Sequence, residues 1–350
     1  MRRQPWRRAS SRLDDSDHRG AVWRPHRPQV RMNTSSGYWS SSKSASLINP
    51  EHTVDHTGAG SSAHGRAQHD SVSLVIRQSL KTSARLVRSL ARNRSQTFTS
   101  FDGLAISFEI WGPDDGLGPV ILNHGFAVDT RVNWFLTGIV DRLVAEGFTV
   151  IGVDARGHGR SEKPHDIDRY GEDAMARDVG ALLDELQLES VDVVGYSMGA
   201  VVSLVLATTD RRVRSLVVGG VGRAVVEQGG VDTGELSNLE IADALVTEDP
   251  EVVARPEVAR FRSLADLIGA DREALAAVAR AARSGPLDLH RITARTLVIA
   301  GADDPLAKEP ERLAEAIGGG AATLVPGDHL GAVASSEFVD AVVTFLKSGE

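Results

Sequence analysis

The chain has 350 residues, 25% of them charged and 41% hydrophobic, no cysteine, and a formal net charge of −8. This is the composition of a soluble globular protein with room for one large domain or two small ones. It excludes disulfides, thiolate metal sites and a cysteine nucleophile, and no run reaches the roughly 18 apolar residues of a membrane span.

The charge is divided unevenly. Residues 1–97 carry 17 Lys and Arg against 6 Asp and Glu; the remainder carries 22 against 41. The acidic part argues against nucleic acid as a partner. Residues 1–95 read as a largely disordered basic tail, rich in Arg, Ser, His and Gly with little aliphatic periodicity. Residues 1–31 have no apolar core of a secretory signal, so a cytoplasmic location is expected. Met32 leaves open a later start. The tail histidines (His18, His26, His52, His56, His64, His69) have no ligand spacing. Within the tail, residues 72–92 form a basic amphipathic stretch. Ile76, Leu80, Val87 and Leu90 recur at helical spacing beside Arg77, Lys81, Arg85, Arg88 and Arg92. It would suit an anionic membrane surface, but docking of its apolar side on the domain, or a fraying helix, is the favoured reading.

From residue 97 the pattern becomes regular. Residues 97–100 and 104–111 predict a hairpin through Asp102-Gly103, followed by a turn-rich loop over 112–119. A strand over 120–123 ends at His124-Gly125-Phe126. Residues 133–146 have helical spacing and stop at Gly147. A strand over 149–153 leads to Asp154-Ala-Arg-Gly-His-Gly-Arg-Ser161, and 172–188 is an amphipathic helix. The β-branched run over 191–196 is interrupted by Gly195-Tyr196-Ser197-Met198-Gly199 and continues as a small, aliphatic helix. Further strands are read at 215–218, 296–300 and 322–325, with helices at 309–317 and 336–346. Apolar strands alternating with helices mean a mostly parallel, doubly wound α/β sheet. Residues 222–290 break the alternation with helical patterning alone. A helical insertion between two such strands sits above their carboxyl ends, so it reads as a cap.

Strand, G-x-S-x-G, helix is the context of a nucleophile elbow. The serine must project from a very tight turn, and glycines two before and two after remove side chains that would collide there. The backbone N–H of Met198, at the helix start, can meet a developing oxyanion. Ser197 needs an adjacent base; His329, in the loop after a strand, is the candidate. His124 is expected to order its loop, and Asp154, Arg156 and His158 to hold their own turn together. His165 and His290 carry no motif. There is no G-x-G-x-x-G, no P-loop and no metal-ligand spacing, so no cofactor or metal is expected.

From about residue 97 to its end the chain resembles the α/β-hydrolase fold superfamily. The resemblance rests on His124-Gly125, the 154–161 turn, Gly-Tyr-Ser-Met-Gly, Gly301-Ala-Asp-Asp304, and the chain order Ser197, acid, His329. It implies a catalytic domain over 96–350 with a cap at about 222–290, a catalytic triad of Ser197, Asp304 and His329, and an oxyanion hole of the Phe126 and Met198 N–H groups. Asp303 competes with Asp304 for the acid. Asp304 is preferred because such chains place the acid three residues after that glycine and Pro305 restricts its backbone. Arg295 stands where proline is common. Serine at 197, where epoxide or haloalkane hydrolysis would use aspartate, favours acyl chemistry. The expected function is a carboxylic-ester hydrolase that forms an acyl-enzyme from a small-molecule acyl substrate. C–C bond hydrolysis, lactonase or perhydrolase activity by the same triad, and a non-catalytic ligand receptor on the same fold, stay open.

Overall fold

The structure, a computed structural model, describes residues 95–113, 116–234, 236–249 and 255–349. Apart from Ser95, the tail expected over 1–95 and its 72–92 stretch lie outside the described residues.

Eight strands form one sheet: β1 (Gln96–Thr99), β2 (Ala105–Trp111), β3 (Leu117–Asn123), β4 (Phe148–Val153), β5 (Val191–Tyr196), β6 (Val213–Gly219), β7 (Arg295–Gly301) and β8 (Ala321–Val325). Their order across the sheet is β1-β2-β4-β3-β5-β6-β7-β8. β1 pairs with β2 and β2 with β4 antiparallel; every later pairing is parallel. The central strands are apolar on both sides because both faces are covered. Successive residues alternate between two cores. Ile121, Val193, Val218 and Val298 face one, packed with Leu182, Leu183, Val201, Leu204 and Leu313. Leu122, Val194, Val217 and Ile299 face the other, packed with Leu143, Trp134, Phe338, Val342 and Leu346. The first layer comes largely from helices α2 (Glu172–Glu185) and α3 (Met198–Thr209), the second from α1 (Ile139–Ala145) and the last helix, Ser336–Lys347.

Two local readings are corrected. The sheet reclaims part of the turn-rich loop over 112–119, since β3 begins at Leu117. The Leu117 N–H donates to the Gly147 carbonyl at 2.8 Å, and Pro119, which has no N–H, falls where the register shifts between Leu117 and Val120. The helix read over 133–146 is two pieces, a π-helical turn at Arg131–Phe135 and then α1. Gly138, at φ +83°, breaks the run. The Thr137 hydroxyl donates to the Asn133 and Trp134 carbonyls at 2.8 and 3.1 Å.

Between β6 and β7 the chain forms α4 (Arg223–Gln228), α5 (Asn238–Val246), α6 (Pro256–Ile268) and α7 (Arg272–Arg280). Ser237 and Glu240 make a reciprocal cap on α5, Pro256 opens α6, and the Asp271 carboxylate caps α7. Small side chains let α5, α6 and α7 pack closely: Ala242, Ala265, Ala276 and Ala279 with Ile241, Leu245 and Leu275, while α4 joins the main core through Val225. Ala127, from the loop after β3, completes that cluster, so the insertion rests at the carboxyl ends of the strands. After β7 come α8 (Pro310–Ile317), β8 and α9 (Ser336–Lys347). No helix among the described residues is long and apolar enough to cross a membrane.

Candidate active site

β5 is buried along its whole length and delivers Ser197 at its carboxyl end. Ser197 has φ +54° and ψ −118°, a left-handed conformation that L-residues occupy at a cost of about 1–3 kcal/mol. The sheet holds it there through the Ser197 N–H, which donates to the Gly219 carbonyl at 2.8 Å. The two glycines have steric reasons. A Cβ on Gly195 would collide with the Gly199 carbonyl and the Ser203 hydroxyl; one on Gly199 would collide with the Asn123 and His124 carbonyls.

His329 and Asp304 reach the serine from the loops after β8 and β7. The Ser197 Oγ lies 2.9 Å from His329 Nε2, and His329 Nδ1 lies 2.8 Å from Asp304 Oδ2. A carboxylate accepts, so Nδ1 donates to it and Nε2 remains to accept from the serine hydroxyl. Asp304 Oδ1 accepts from the Leu306 N–H at 2.9 Å, and the Asp304 side chain has no solvent exposure. Asp303 is exposed, and its N–H donates to the Gly327 carbonyl. Of the two adjacent aspartates, the structure therefore brings Asp304 to His329.

Two backbone N–H groups flank the serine. Met198 is the first residue of α3, where a helix leaves N–H groups without a partner. Phe126 lies in the loop after β3, which passes over the serine: a Cβ on Gly125 would stand 3.5 Å from Ser197 Cβ. Its neighbours' N–H groups are committed, Gly125 to Asn133 Oδ1 at 2.8 Å and Ala127 to His158 Nε2 at 3.3 Å. Among the described residues the Phe126 N–H has no such acceptor. Hydroxyl, imidazole and carboxylate in line can pass a proton between them, and two backbone N–H donors without an acceptor among the described residues lie in the segments next to the serine.

The sequence model of the α/β-hydrolase fold matches residues 118–221. Over 111 residues the chain is 39% identical to a non-heme chloroperoxidase of Streptomyces lividans, a match spanning 29% of this chain and about a third, 35%, of that protein. Over 209 residues it is 31% identical to the 2-hydroxy-6-oxo-2,4-heptadienoate hydrolase of Pseudomonas putida, covering 55% of this chain and 74% of the relative. The chain belongs to the α/β-hydrolase family. A solved hydrolase from Pseudomonas aeruginosa PA01 superimposes with a TM-score of 0.59 at 27% identity, covering 72% of this chain and 98% of that one.

In this α/β-hydrolase two buried histidines shape the loop over the serine. His124 Nδ1 donates to the Gly125 carbonyl at 2.8 Å and Nε2 accepts from the Ala155 N–H at 3.0 Å. His158 Nδ1 donates to the Arg156 carbonyl at 3.1 Å and Nε2 accepts from Ala127. Burial, with the neighbouring His124 ring, pushes His158 down to about 3, so it stays neutral and keeps Nε2 as an acceptor. The Asp154 carboxylate accepts from the Thr130 and Arg160 N–H groups. Arg156, fully buried, forms paired bonds to Asp178 at 2.6 and 2.7 Å and reaches Asp102 at 2.9 Å. These groups join the 154–161 turn to its surroundings and do not reach the serine hydroxyl. His165 lies away from the site, paired with Asp271 and Glu273 of the insertion. Among the described residues no three metal-ligating side chains converge.

Sequence reasoning passed over Asn133, whose Oδ1 fixes Gly125, and Tyr196, whose hydroxyl meets the His329 carbonyl. The available signal was position alone: a polar residue in the first turn after the His124-Gly125 loop, and an aromatic beside the serine.

Proposed function

We propose that this α/β-hydrolase is a serine hydrolase that cleaves a carboxylic ester through an acyl-enzyme. The observation that carries the reading is the chain of contacts from Ser197 Oγ to His329 Nε2 at 2.9 Å and from His329 Nδ1 to Asp304 at 2.8 Å. His329 takes the Ser197 proton as Oγ bonds to the ester carbonyl carbon. The carbonyl oxygen becomes an oxyanion on the Met198 and Phe126 N–H groups. Asp304 stabilises the imidazolium and keeps its orientation. His329 then returns the proton to the leaving alkoxide. Water repeats the sequence on the acyl-enzyme, releasing the acid and restoring the serine. The α4–α7 insertion acts as a cap over the acyl group. Phe261 of α6 stands 5.9 Å from the Phe126 ring, so the cap meets the oxyanion loop directly.

A second reading is C–C bond hydrolysis of a vinylogous diketone acid by the same groups. It is favoured by the likeness to the Pseudomonas putida hydrolase, whose own length is 74% covered. A fluorophosphonate probe and an ester chain-length series, run beside a ring-cleavage substrate, test both. Ser197→Ala should abolish labelling and lower kcat by about 10⁴–10⁶. A variant that keeps a tenth of the turnover would overturn the assignment. Turnover of the diketone acid far above every ester would select the second reading.

A further inference from the structure

The base and the serine come from segments more than a hundred residues apart, yet they must keep a hydrogen-bonding contact. Ser197 is fixed by β5 and by its bond to Gly219. His329 sits in a surface loop beside the exposed Leu330. Asp328 Oδ1 accepts from the Leu330 and Gly331 N–H groups at 3.2 and 2.8 Å. That shapes the loop but does not join it to the serine's strand.

Tyr196 makes the join. It is 3% exposed, and its hydroxyl donates to the His329 carbonyl oxygen at 2.6 Å. Its ring lies 5.4 Å from the His329 ring and is backed edge-on by Phe338 at 5.7 Å. Gly220 leaves the space for this stack: a Cβ there would stand 2.9 Å from Tyr196 Cζ and 3.0 Å from His329 Cε1. The phenol is held well above its usual range by burial and by the nearby Asp304 and Asp328 carboxylates, so it remains a donor wherever histidine changes charge.

We propose that Tyr196 is a positioning residue for His329, tying the base's loop to the strand that presents the nucleophile so that one rigid unit sets their separation. The inference rests on the proposed roles of Ser197 and His329. The physical basis is that displacement of a reacting group by about 1 Å can cost on the order of 10²-fold in rate. The tether acts through the backbone of His329 and leaves both ring nitrogens to Asp304 and Ser197.

Tyr196→Phe keeps the ring and removes the tether. Turnover at saturating ester and the rate of fluorophosphonate labelling should each fall by about tenfold. KM and the midpoint of the acid limb of kcat/KM should stay unchanged, because neither the acyl pocket nor the imidazole's own partners are altered. Leu346→Ala, which opens a cavity in the same apolar core, is the control: it should lower Tm and keep wild-type kcat. Ser197→Ala runs in parallel. If it is inert while Tyr196→Phe keeps wild-type kcat, or changes KM alone, the role of Tyr196 is refuted and the serine reading stands. A kcat loss in Leu346→Ala equal to that in Tyr196→Phe would also refute it. If Ser197→Ala retains turnover, both readings fall.

Discussion

Replacing Asp304 with asparagine tests the geometry at its most specific point. The exchange is nearly isosteric and removes a carboxylate whose side chain is fully buried, so the fold should tolerate it. The introduced amide can keep the bond from the Leu306 N–H through its carbonyl oxygen, replacing Asp304 Oδ1. Its NH₂ group then replaces Oδ2, 2.8 Å from His329 Nδ1. A donor facing a donor is relieved when the imidazole proton moves to Nε2. Nε2 would then present N–H to the Ser197 hydroxyl and could not accept its proton. Loss of the right tautomer and of imidazolium stabilisation should lower kcat by about 10³–10⁴, or roughly 4–5.5 kcal/mol of transition-state stabilisation. Asp303→Asn alters an exposed side chain and should cost less than about tenfold, through loop order alone. Both variants would be purified, matched by Tm, and compared on one ester and by the rate of fluorophosphonate labelling. A crippled Asp303→Asn beside a near-normal Asp304→Asn would refute the reasoning.

Two further outcomes are expected. His158 binds a proton less readily in the folded protein than its usual value of 6.5 allows. Its contribution to stability is therefore complete above about pH 6.5 and is lost as pH falls toward about 3, the loss reaching roughly 2 kcal/mol at pH 5. Urea titrations of wild type and His158→Gln between pH 7 and about 4.5 should give a shallower pH slope for the variant; parallel slopes would contradict the assignment. Arg262, from α6, donates to the carbonyls of Ala244, Leu245 and Thr247 at the end of α5. Arg262→Met fills the volume but strands those acceptors, so stability should fall by about 2–3 kcal/mol. Hydrogen exchange should rise first at the end of α5, and a loss below about 0.5 kcal/mol would refute that role.

Much of the architecture was legible because its causes are local. The β-branched run of β5, the glycines that fit only a crowded elbow, and the helical period of 172–188, which the structure realises as a helix over Glu172–Glu185, each state their conformation within a few residues. The local readings that failed did so for different reasons. Pro119 and its neighbours read as a turn, yet the sheet recruits them across a register shift because Leu117 finds the Gly147 carbonyl. One helix became two because Thr137 bonds back to the preceding turn and Gly138 takes a left-handed conformation.

By itself, the amino-acid sequence determined the alternation of strand and helix, the elbow, the helical insertion, and the order in which serine, aspartates and histidine occur along the chain. Only the tertiary structure decided which atoms meet. Inserting β3 between β4 and β5 carries the Gly125–Phe126 loop over Ser197. The turn after β7 aims Asp304, and not the adjacent Asp303, at His329. Asn133 and Tyr196 became visible only there, because their partners lie across the loop and across the sheet. Periodicity records which face of an element is buried, whereas a hydrogen bond between distant segments depends on strand order and loop path, and no spacing in the sequence encodes these.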